Sequence, residues 1–568
     1  PIRGEAGKWF LAGEIMLVVF VCFFVGEEFA EIFHDVVRHR KWLRSQNRVA
    51  DAEGPLTRAD RAQALKHSWT KYWRDGGNYE IPGIAVLETE EEHEEDGHEE
   101  HAEGVLENSA SESKGINVGG SILLDNGYVG FAYGRLERVN GIPGHSHGHE
   151  EEHDEEEHEE EHDEEHEEHE EEGVYSDLKQ DRWQLISELS LETPWLSGVN
   201  TRIGYTDYEH AEIEGGGVGT VFKNTTIQAR TDLILQQVAG WRGALSIEAK
   251  TSDFEAVGEE AFTPPSQTDS YSIAIMQEKH TGDLLWQLGG RVEHVNLEAD
   301  PIAFGHDEDD LLHFDKLSFN PYSLSAGVVW DFTEGYNAAL SLTRAQRAPS
   351  ASELFSYGPH IGTGSFEVGA LFWLHEGEDP HFHKGNDVDE EVSNNIDLSF
   401  RKNSGNVGWV VNVFYNQVNN FYYERNTGYT SEDIEGHEHE EEGHEEEGHE
   451  EHDHGALPVY VFEQSDATLY GIEAQLAWKV SNAVTVNLWA DTIRGKLDSG
   501  GNLPRIPPVR LGSELRYQRS GWEAQISVSR YFEQDKVAEF ETNTDAYTLV
   551  DAELAYRFSI NQQGLTVY

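Results

Sequence analysis

From about Trp69 onward, segments of roughly ten residues alternate apolar and polar side chains along the chain. In residues 284–293 (LLWQLGGRVE), Trp286 and Leu288 face one way, whereas Gln287 and Arg291 face the other. Residues 484–491 (VTVNLWAD) repeat this period of two, which is typical of β-strands in membrane barrels. We therefore predict an all-β fold, a large antiparallel transmembrane β-barrel with an apolar outside and a polar lumen. A soluble β-sandwich is the alternative.

The connections between the predicted strands are alternately short and long. Short turns lie near residues 125–127, 281–283, 332–335, 480–483 and 519–521. Long loops lie near residues 88–112, 138–178, 209–222, 253–269, 297–318, 346–390, 419–463, 495–507 and 532–545. Counting strands places every long loop on one side, as in outer-membrane barrels, whose periplasmic turns are short and whose extracellular loops are long. The count is about nineteen strands, and bacterial single-chain barrels have an even number, so we expect a truncated barrel.

Residues 1–69 do not share this pattern. An apolar run at 9–25 is short for a spanning helix, which needs about 20 residues, and a helix-like, mixed-charge stretch follows at 27–66. We leave residues 1–69 unassigned, with an origin outside the barrel as one interpretation. The predicted barrel occupies residues 70–568.

The composition limits the classes of partner that the chain is expected to bind. A formal net charge of −67 argues against nucleic acid and against anionic membrane surfaces, and favours cations. The single cysteine, Cys22, excludes a disulfide framework and any Cys-rich zinc site. We find no positioned nucleophile or acid/base pair, so we predict that the chain is not an enzyme and has no catalytic cofactor.

Three stretches, at 88–103, 144–172 and 436–455, combine histidine with Glu and Asp, and they contain 17 of the 29 histidines. Such stretches cannot bury apolar surface, so we predict disordered, extracellular loops. Imidazole and carboxylate are ligands for Zn²⁺, so we predict metal capture rather than mere solubilising charge. The candidate ligands in the two longer stretches are His145, His147, His149, His153, His158, His162, His166, His169, His437, His439, His444, His449, His452 and His454.

Several motifs resemble TonB-dependent outer-membrane receptors. SLTRAQRAPSASELFSYGPH (341–360), SFEVG (365–369) and EEVSNNIDLSF (390–400) resemble the middle of that barrel, and LPRIPPVRLGSELRY (503–517) resembles a later strand. NGIPGHSHGH (140–149) and YTDYEHAEIEGG (205–216) are most similar to zinc receptors of the ZnuD type. The resemblance covers residues 70–568, but neither the plug domain nor the TonB box of that family is visible.

The resemblance implies that the chain lies in the bacterial outer membrane, in contact with its lipid. It also implies that zinc, the transported ligand, is imported with energy delivered by the TonB–ExbB–ExbD system. His210 and Glu212 lie two residues apart, so on an extended segment they point to one side and can reach one ion. The resemblance adds His360 as a further ligand. His306, His313, His375, His381 and His383 are weaker candidates.

The sequence is also compatible with three other functions. A receptor for a metal chelate such as a siderophore or haem would need fewer exposed histidines and more aromatic loop tips. A metal-binding surface barrel without transport would not depend on His210, Glu212 or His360. A fragment that never inserts into a membrane would show no heat-modifiable barrel on a gel.

Overall fold

The computed structural model describes residues 72–74, 108–142, 174–214, 217–258, 261–304, 311–360, 363–377, 380–385, 387–435, 456–560 and 563–567. The chain divides into two units, Pro1–Ser68 and Trp69–Tyr568, and all the described residues belong to the second. The sequence-based assignments for residues 1–69 lie outside the described residues. No helix in the described part of the chain is long and apolar enough to cross a membrane.

The described residues are mostly β-structure, with two short helices, α1 (Ala351–Phe355) and α2 (Ser431–Glu435). The strands are β1 (Tyr72–Arg74), β2 (Ser111–Leu124), β3 (Gly127–Gly141), β4 (Tyr175–Ser190), β5 (Leu196–Glu214), β6 (Gly217–Leu235), β7 (Trp241–Gly258), β8 (Ser266–Thr281), β9 (Leu284–Ala299), β10 (Ile302–Ala303), β11 (Leu311–Leu312), β12 (Leu317–Phe319), β13 (Tyr322–Thr333), β14 (Tyr336–Arg347), β15 (Tyr357–His360), β16 (Ser365–Val368), β17 (Phe372–His375), β18 (His381–Lys384), β19 (Glu391–Lys402), β20 (Val407–Thr430), β21 (Pro458–Lys479), β22 (Val484–Leu497), β23 (Arg510–Arg519), β24 (Trp522–Tyr531), β25 (Tyr547–Ile560) and β26 (Gln563–Val567).

Within the described residues, 22 of these strands form a single sheet. Antiparallel pairings connect β1 to β9 in chain order, continue through β12 and β13 to β14, pass to β19, and then run in order to β26. β12 and β13 both pair with β9 and continue one another around Pro321. This large antiparallel sheet confirms the all-β prediction.

The two faces of the sheet differ as the alternation predicts. Trp286, Leu288 and Val292 of β9 are 42%, 47% and 59% exposed, whereas Gln287, from the intervening positions, is only 8% exposed. An apolar outer surface with polar side chains inside is the arrangement of a membrane barrel and the reverse of a soluble one.

The connections also obey the predicted parity. Short turns such as 282–283, 334–335 and 520–521 lie at one end of the sheet, which we call the turn end. The strand ends that flank the long connections, including 142–174, 348–390 and 431–457, lie at the other, which we call the loop end. One predicted long loop, 209–222, is wrong: β5 continues to Glu214 and β6 begins at Gly217. The reason is that Ile213 and Val218 extend the ladder beyond the apolar band.

The main apolar core lies at the loop end, in a folded unit that we call the cap, residues 351–384. The cap consists of α1 and the two hairpins β15–β16 and β17–β18. Phe355, Phe366, Val368 and Phe372 of the cap are at most 4% exposed. They pack with side chains from the barrel strands, including Leu297, Tyr422, Val459 and Val461.

Two features attach the cap to the barrel wall. β16 pairs in parallel with the loop end of β21, with Phe366 opposite Val459. Ser350 caps α1 through a reciprocal bond with Glu353, and Arg347 binds Glu353 with two hydrogen bonds of 2.8 and 2.9 Å while also reaching Glu391 at 3.0 Å. The cap is therefore held to β14, β19 and β21 at once.

Candidate metal-binding site

His210 and Glu212 lie on the lumen-facing side of β5, near its loop end. The outward positions of β5 change from Ile203 and Tyr205 to the exposed, charged Asp207 and Glu209. This change marks the upper limit of the apolar band, because lipid-facing positions are apolar. The pair therefore lies above the membrane-facing zone, at the rim of the lumen.

The imidazole of His210 is enclosed by aromatic rings. Phe222, directly opposite on β6, stacks on it at 4.6 Å between ring centroids, and Tyr208 contacts its edge at 5.5 Å. Burial lowers the pKa of His210 below its ordinary value. The ring is therefore neutral near pH 7, which is the form that binds metals.

The His210 and Glu212 side chains are spaced for a shared cation. His210 Nε2 lies 3.9 Å from Glu212 Oε1, and two ligands of a tetrahedral zinc ion lie about 3.4 Å apart, given bonds of about 2.1 Å. His210 Nδ1 is buried and, within the described residues, accepts or donates no hydrogen bond. Two of the four ligands that zinc prefers are thus already close to position.

His360 lies at the end of β15 and belongs to a second histidine–carboxylate pair. Its Nδ1 lies 2.7 Å from Oε1 of Glu367, on the neighbouring strand β16. An ionised carboxylate only accepts, so His360 Nδ1–H donates, and Nε2 keeps its lone pair for a metal. Carboxylate–histidine pairs of this kind orient the imidazole in metal sites.

Glu367 is held ionised by its neighbours although it is only 6% exposed. Burial by itself would raise its pKa, but hydrogen bonds from His360, Thr363 and Ser365 hold the pKa of Glu367 below its usual value. Thr363 Oγ1 and Ser365 Oγ lie 3.1 and 3.4 Å from the carboxylate. Glu367 therefore positions His360 rather than serving as a free ligand.

A second, partly buried carboxylate lies near this pair. Burial, reinforced by the charge of Glu367, raises the pKa of Glu424 on β20, while Arg505 and His360 oppose the shift. Arg505 forms an ion pair with Glu424 at 2.7 Å. The surroundings of His360 thus carry excess negative charge, which favours a cation.

The cap fixes His360 through the loop that follows β7. Phe262 stacks on the His360 ring at 4.2 Å, and its carbonyl accepts from the Tyr357 N–H at 2.7 Å. Gly358 allows this approach, since a Cβ there would lie 3.1 Å from Phe262 Cα. Because Gly258, four residues before Phe262, lies opposite Thr220 of β6, the two pairs occupy one sector of the rim.

The weaker candidates of the sequence analysis separate into two groups. His375, His381 and His383 come together on the β17–β18 hairpin, with His375 directly opposite His381. His313 does not join this cluster through its ring; its backbone carbonyl accepts a hydrogen bond from Lys384 of the same hairpin. His306 lies outside the described residues.

The remaining predicted ligands also lie outside the described residues. They are His145, His147, His149, His153, His158, His162, His166, His169, His437, His439, His444, His449, His452 and His454. Among the described side chains, no group of three or more His, Cys, Asp or Glu is already arranged to hold an ion. The described rim therefore contributes the His210–Glu212 pair and His360, which Glu367 orients.

Sequence reasoning missed Glu367 and the two stacking rings, Phe222 and Phe262. For Glu367 a signal was present, because SFEVG places one carboxylate inside a short apolar segment. The two phenylalanines are distant in sequence from the histidines that they cover, so no local pattern marked them.

The comparison with known proteins places this fold in a family. Residues 122–568 match the sequence profile described as TonB dependent receptor-like, beta-barrel. The chain therefore belongs to the family of TonB-dependent receptor β-barrels, as the motif resemblance predicted. In this family the loop end of the barrel is extracellular.

Solved structures share the fold at low sequence identity. The copper transporter OprC is 13% identical with a TM-score of 0.59, over 80% of this chain and 66% of that one. The FrpB iron transporter from Neisseria meningitidis is 9% identical with a TM-score of 0.53, over 80% and 65%. The ferric-catecholate import receptor Fiu from E. coli K12 is 13% identical with a TM-score of 0.53, over 80% and 69%. The chain thus spans about two thirds of the length of these relatives.

Proposed function

We propose that this chain is the barrel of an outer-membrane receptor that binds zinc at its extracellular rim and imports it with energy delivered through TonB–ExbB–ExbD. The observation that carries the proposal is the desolvated, neutral His210 with Glu212 3.9 Å away. Nε2, the nitrogen that faces Glu212, would bind an ion held between the two side chains, and the neutral state of the ring leaves its lone pair available.

The second pair supports the same function. Glu367 fixes the tautomer of His360 and leaves Nε2 available, as metal sites require. Both pairs lie at the loop end, in the same sector of the barrel wall. His210, Glu212 and His360 are not yet gathered around one point, so the proposal requires His360 to move towards the His210–Glu212 pair when zinc binds. A further residue or water then completes four ligands.

The His-rich stretches provide the first stage of capture in this proposal. The connections 142–174 and 431–457, which contain them, leave the barrel at the same end as the rim pairs. Many weak sites raise the local zinc concentration, and the fixed rim site then holds the ion more tightly. Raw affinity follows the Irving–Williams order, so Cu²⁺ and Ni²⁺ also bind the stretches, and the rim must supply the selectivity.

A metal-chelate receptor is the second candidate, since receptors for ferric catecholate and iron share this barrel. Those likenesses lie at 13% identity or below and concern the fold. The paired His and carboxylate side chains favour a bare divalent ion, because a chelate brings its own metal ligands. A surface barrel that binds metal without transport is a third candidate.

A competitive Zn²⁺ titration tests the proposal. The chain is refolded in detergent with residues 88–103, 149–172 and 437–454 replaced by Gly/Ser linkers, and zinc is shared with a chromogenic chelator. The linker variant should keep a tight site that His210→Ala, Glu212→Ala and His360→Ala together abolish. The matched control His294→Ala, an exposed histidine bonded to Asn320 at 2.9 Å, should change nothing. Loss of all zinc binding with the stretches would contradict the proposal.

A further inference from the structure

The β17–β18 hairpin of the cap has one apolar face and one face of aromatic nitrogen ligands. Because His375 lies opposite His381 and Trp373 lies opposite His383, these four side chains share one side of the hairpin. The other side carries Phe372 and Phe382, which are 1% and 6% exposed in the cap core. The core therefore anchors the hairpin and leaves the histidine side turned away from it.

The three imidazoles are neighbours in space. The ring centroids of His375 and His381 lie 5.1 Å apart, those of His381 and His383 4.6 Å, and those of His375 and His383 6.4 Å. Around one tetrahedral zinc, with Zn–N bonds of about 2.1 Å, imidazole centroids lie about 5 Å apart. The observed separations bracket this value.

We infer that His375, His381 and His383 form a separate three-imidazole site for a borderline divalent metal ion on the outer face of the cap. Their nitrogen atoms do not yet converge on one point, and the site closes by rotation about the side-chain torsions. The terminal torsion of histidine is broad, so this rotation does not require a change of rotamer class. The backbone, which sets which rings can meet, is already fixed by the hairpin.

Trp373 defines the wall of this site. It stacks on His383 with centroids 4.6 Å apart and an interplanar angle of 29°. Stacking covers the face of the imidazole and leaves its edge, which carries both nitrogens, accessible. Imidazole ligands suit Zn²⁺, Cu²⁺ and Ni²⁺, and three of them leave a coordination position for water or a further donor.

The inference deepens the proposed function and rests on it for the identity of the cargo, since the site would hold the ion on the cap before it reaches the rim. It uses none of the residues of the rim pairs. The two ideas can therefore fail separately.

Histidine footprinting with diethyl pyrocarbonate tests the site in the complete chain. The reagent modifies accessible imidazoles, and mass spectrometry of peptides reads each histidine with and without Zn²⁺ alone. His375, His381 and His383 should become protected together, with one common midpoint in zinc concentration. His280, near the turn end, should keep its reactivity throughout. The proposed site would be overturned if the three histidines had different midpoints. It would also be overturned if they stayed reactive at zinc concentrations that already protect the His-rich stretches.

A single substitution then tests whether the three act as a unit. His375→Ala should raise the zinc midpoint for protection of His381 and His383 by about 10- to 100-fold or more, because even indirect partners of a ligand have effects of that size. The matched control His294→Ala should leave the midpoint unchanged. The same spectra report the reactivity of His210 and His360. If zinc protects the hairpin histidines but not His210 and His360, the rim proposal is refuted and the hairpin site is not.

Discussion

Removing one aromatic side chain from the cap core should open the cap without opening the barrel. Phe372 is 1% exposed and contacts Tyr357, Phe304 and Phe314 at ring-centroid distances of 5.3, 5.4 and 6.2 Å. Truncating a fully buried Phe to Ala costs about 3–5 kcal/mol, since both transfer free energy and a cavity contribute. The Phe372→Ala variant should therefore lose about that much of the free energy that keeps the cap closed.

Hydrogen exchange measured by mass spectrometry reads this loss locally. Each 1.4 kcal/mol is about a factor of ten, so exchange in the β15–β18 peptides should accelerate by roughly 100- to 4,000-fold. Peptides from β22–β24 serve as the internal standard and should not change. The matched control is Trp373→Ala, the next residue on the opposite face of β17, which is 44% exposed. Equal acceleration by both variants, or acceleration throughout the barrel, would refute the account of the cap as a unit with its own core.

Three further results follow from the same contacts. Glu367→Gln should weaken zinc binding at the rim by about 10- to 100-fold, because a neutral amide oxygen accepts the His360 Nδ1–H bond more weakly than the carboxylate does. An unchanged competitive titration would show that Glu367 has no such role. The folded-state pKa of His210 lies below its ordinary value, so zinc binding at the rim should persist to lower pH than binding by the His-rich stretches. Binding by the stretches should decline near pH 6.5, about the reference pKa of histidine. Parallel pH profiles of zinc binding in the linker variant and the complete chain would contradict this. Arg347→Lys should cost about 1.5–3 kcal/mol of cap stability, because Lys cannot make the two parallel bonds to Glu353; hydrogen exchange in α1 measures it, and wild-type protection there would argue against the anchor.

The barrel could be predicted from the sequence because its pattern is local. In β9 every second residue faces lipid, so the period of two in Trp286, Leu288 and Val292 can be read from the sequence without knowing which strands are neighbours. The parity of turns and loops follows in the same way from counting. The prediction of a long loop at 209–222 was wrong because strand pairing above the membrane needs no apolar alternation, and residues 208–214 (YEHAEIE) show little alternation.

The site was predictable only in part. The spacing of His210 and Glu212 placed both on one face of a strand, and the structure has them there. Phe222, Phe262 and Glu367 act across strands and loops, through contacts that depend on register and on the fold of the cap. The sequence offered His375, His381 and His383 only as weaker candidates, since the pairing of His375 with His381 is what brings residues from the two strands together.

The assignment of the chain to a class rests on the whole barrel, whereas the assignment of a cargo rests on a few side chains. Residues 122–568 share the family profile, and the solved relatives carry different cargoes by name, copper for OprC and iron for FrpB. The wall is thus common to the family. We propose that the rim and the cap determine which ion is bound.

Zinc uptake in living cells tests the central claim most directly. Cells that produce this receptor at limiting zinc are supplied with radioactive Zn²⁺, with and without a functional TonB, and uptake is compared with that of the His210→Ala/His360→Ala variant at equal surface abundance. The account predicts saturable zinc uptake that requires TonB and falls by about tenfold or more in the variant, as loss of metal ligands implies. TonB-dependent uptake of zinc that is indifferent to both substitutions, or uptake of a ferric chelate in its place, would contradict it.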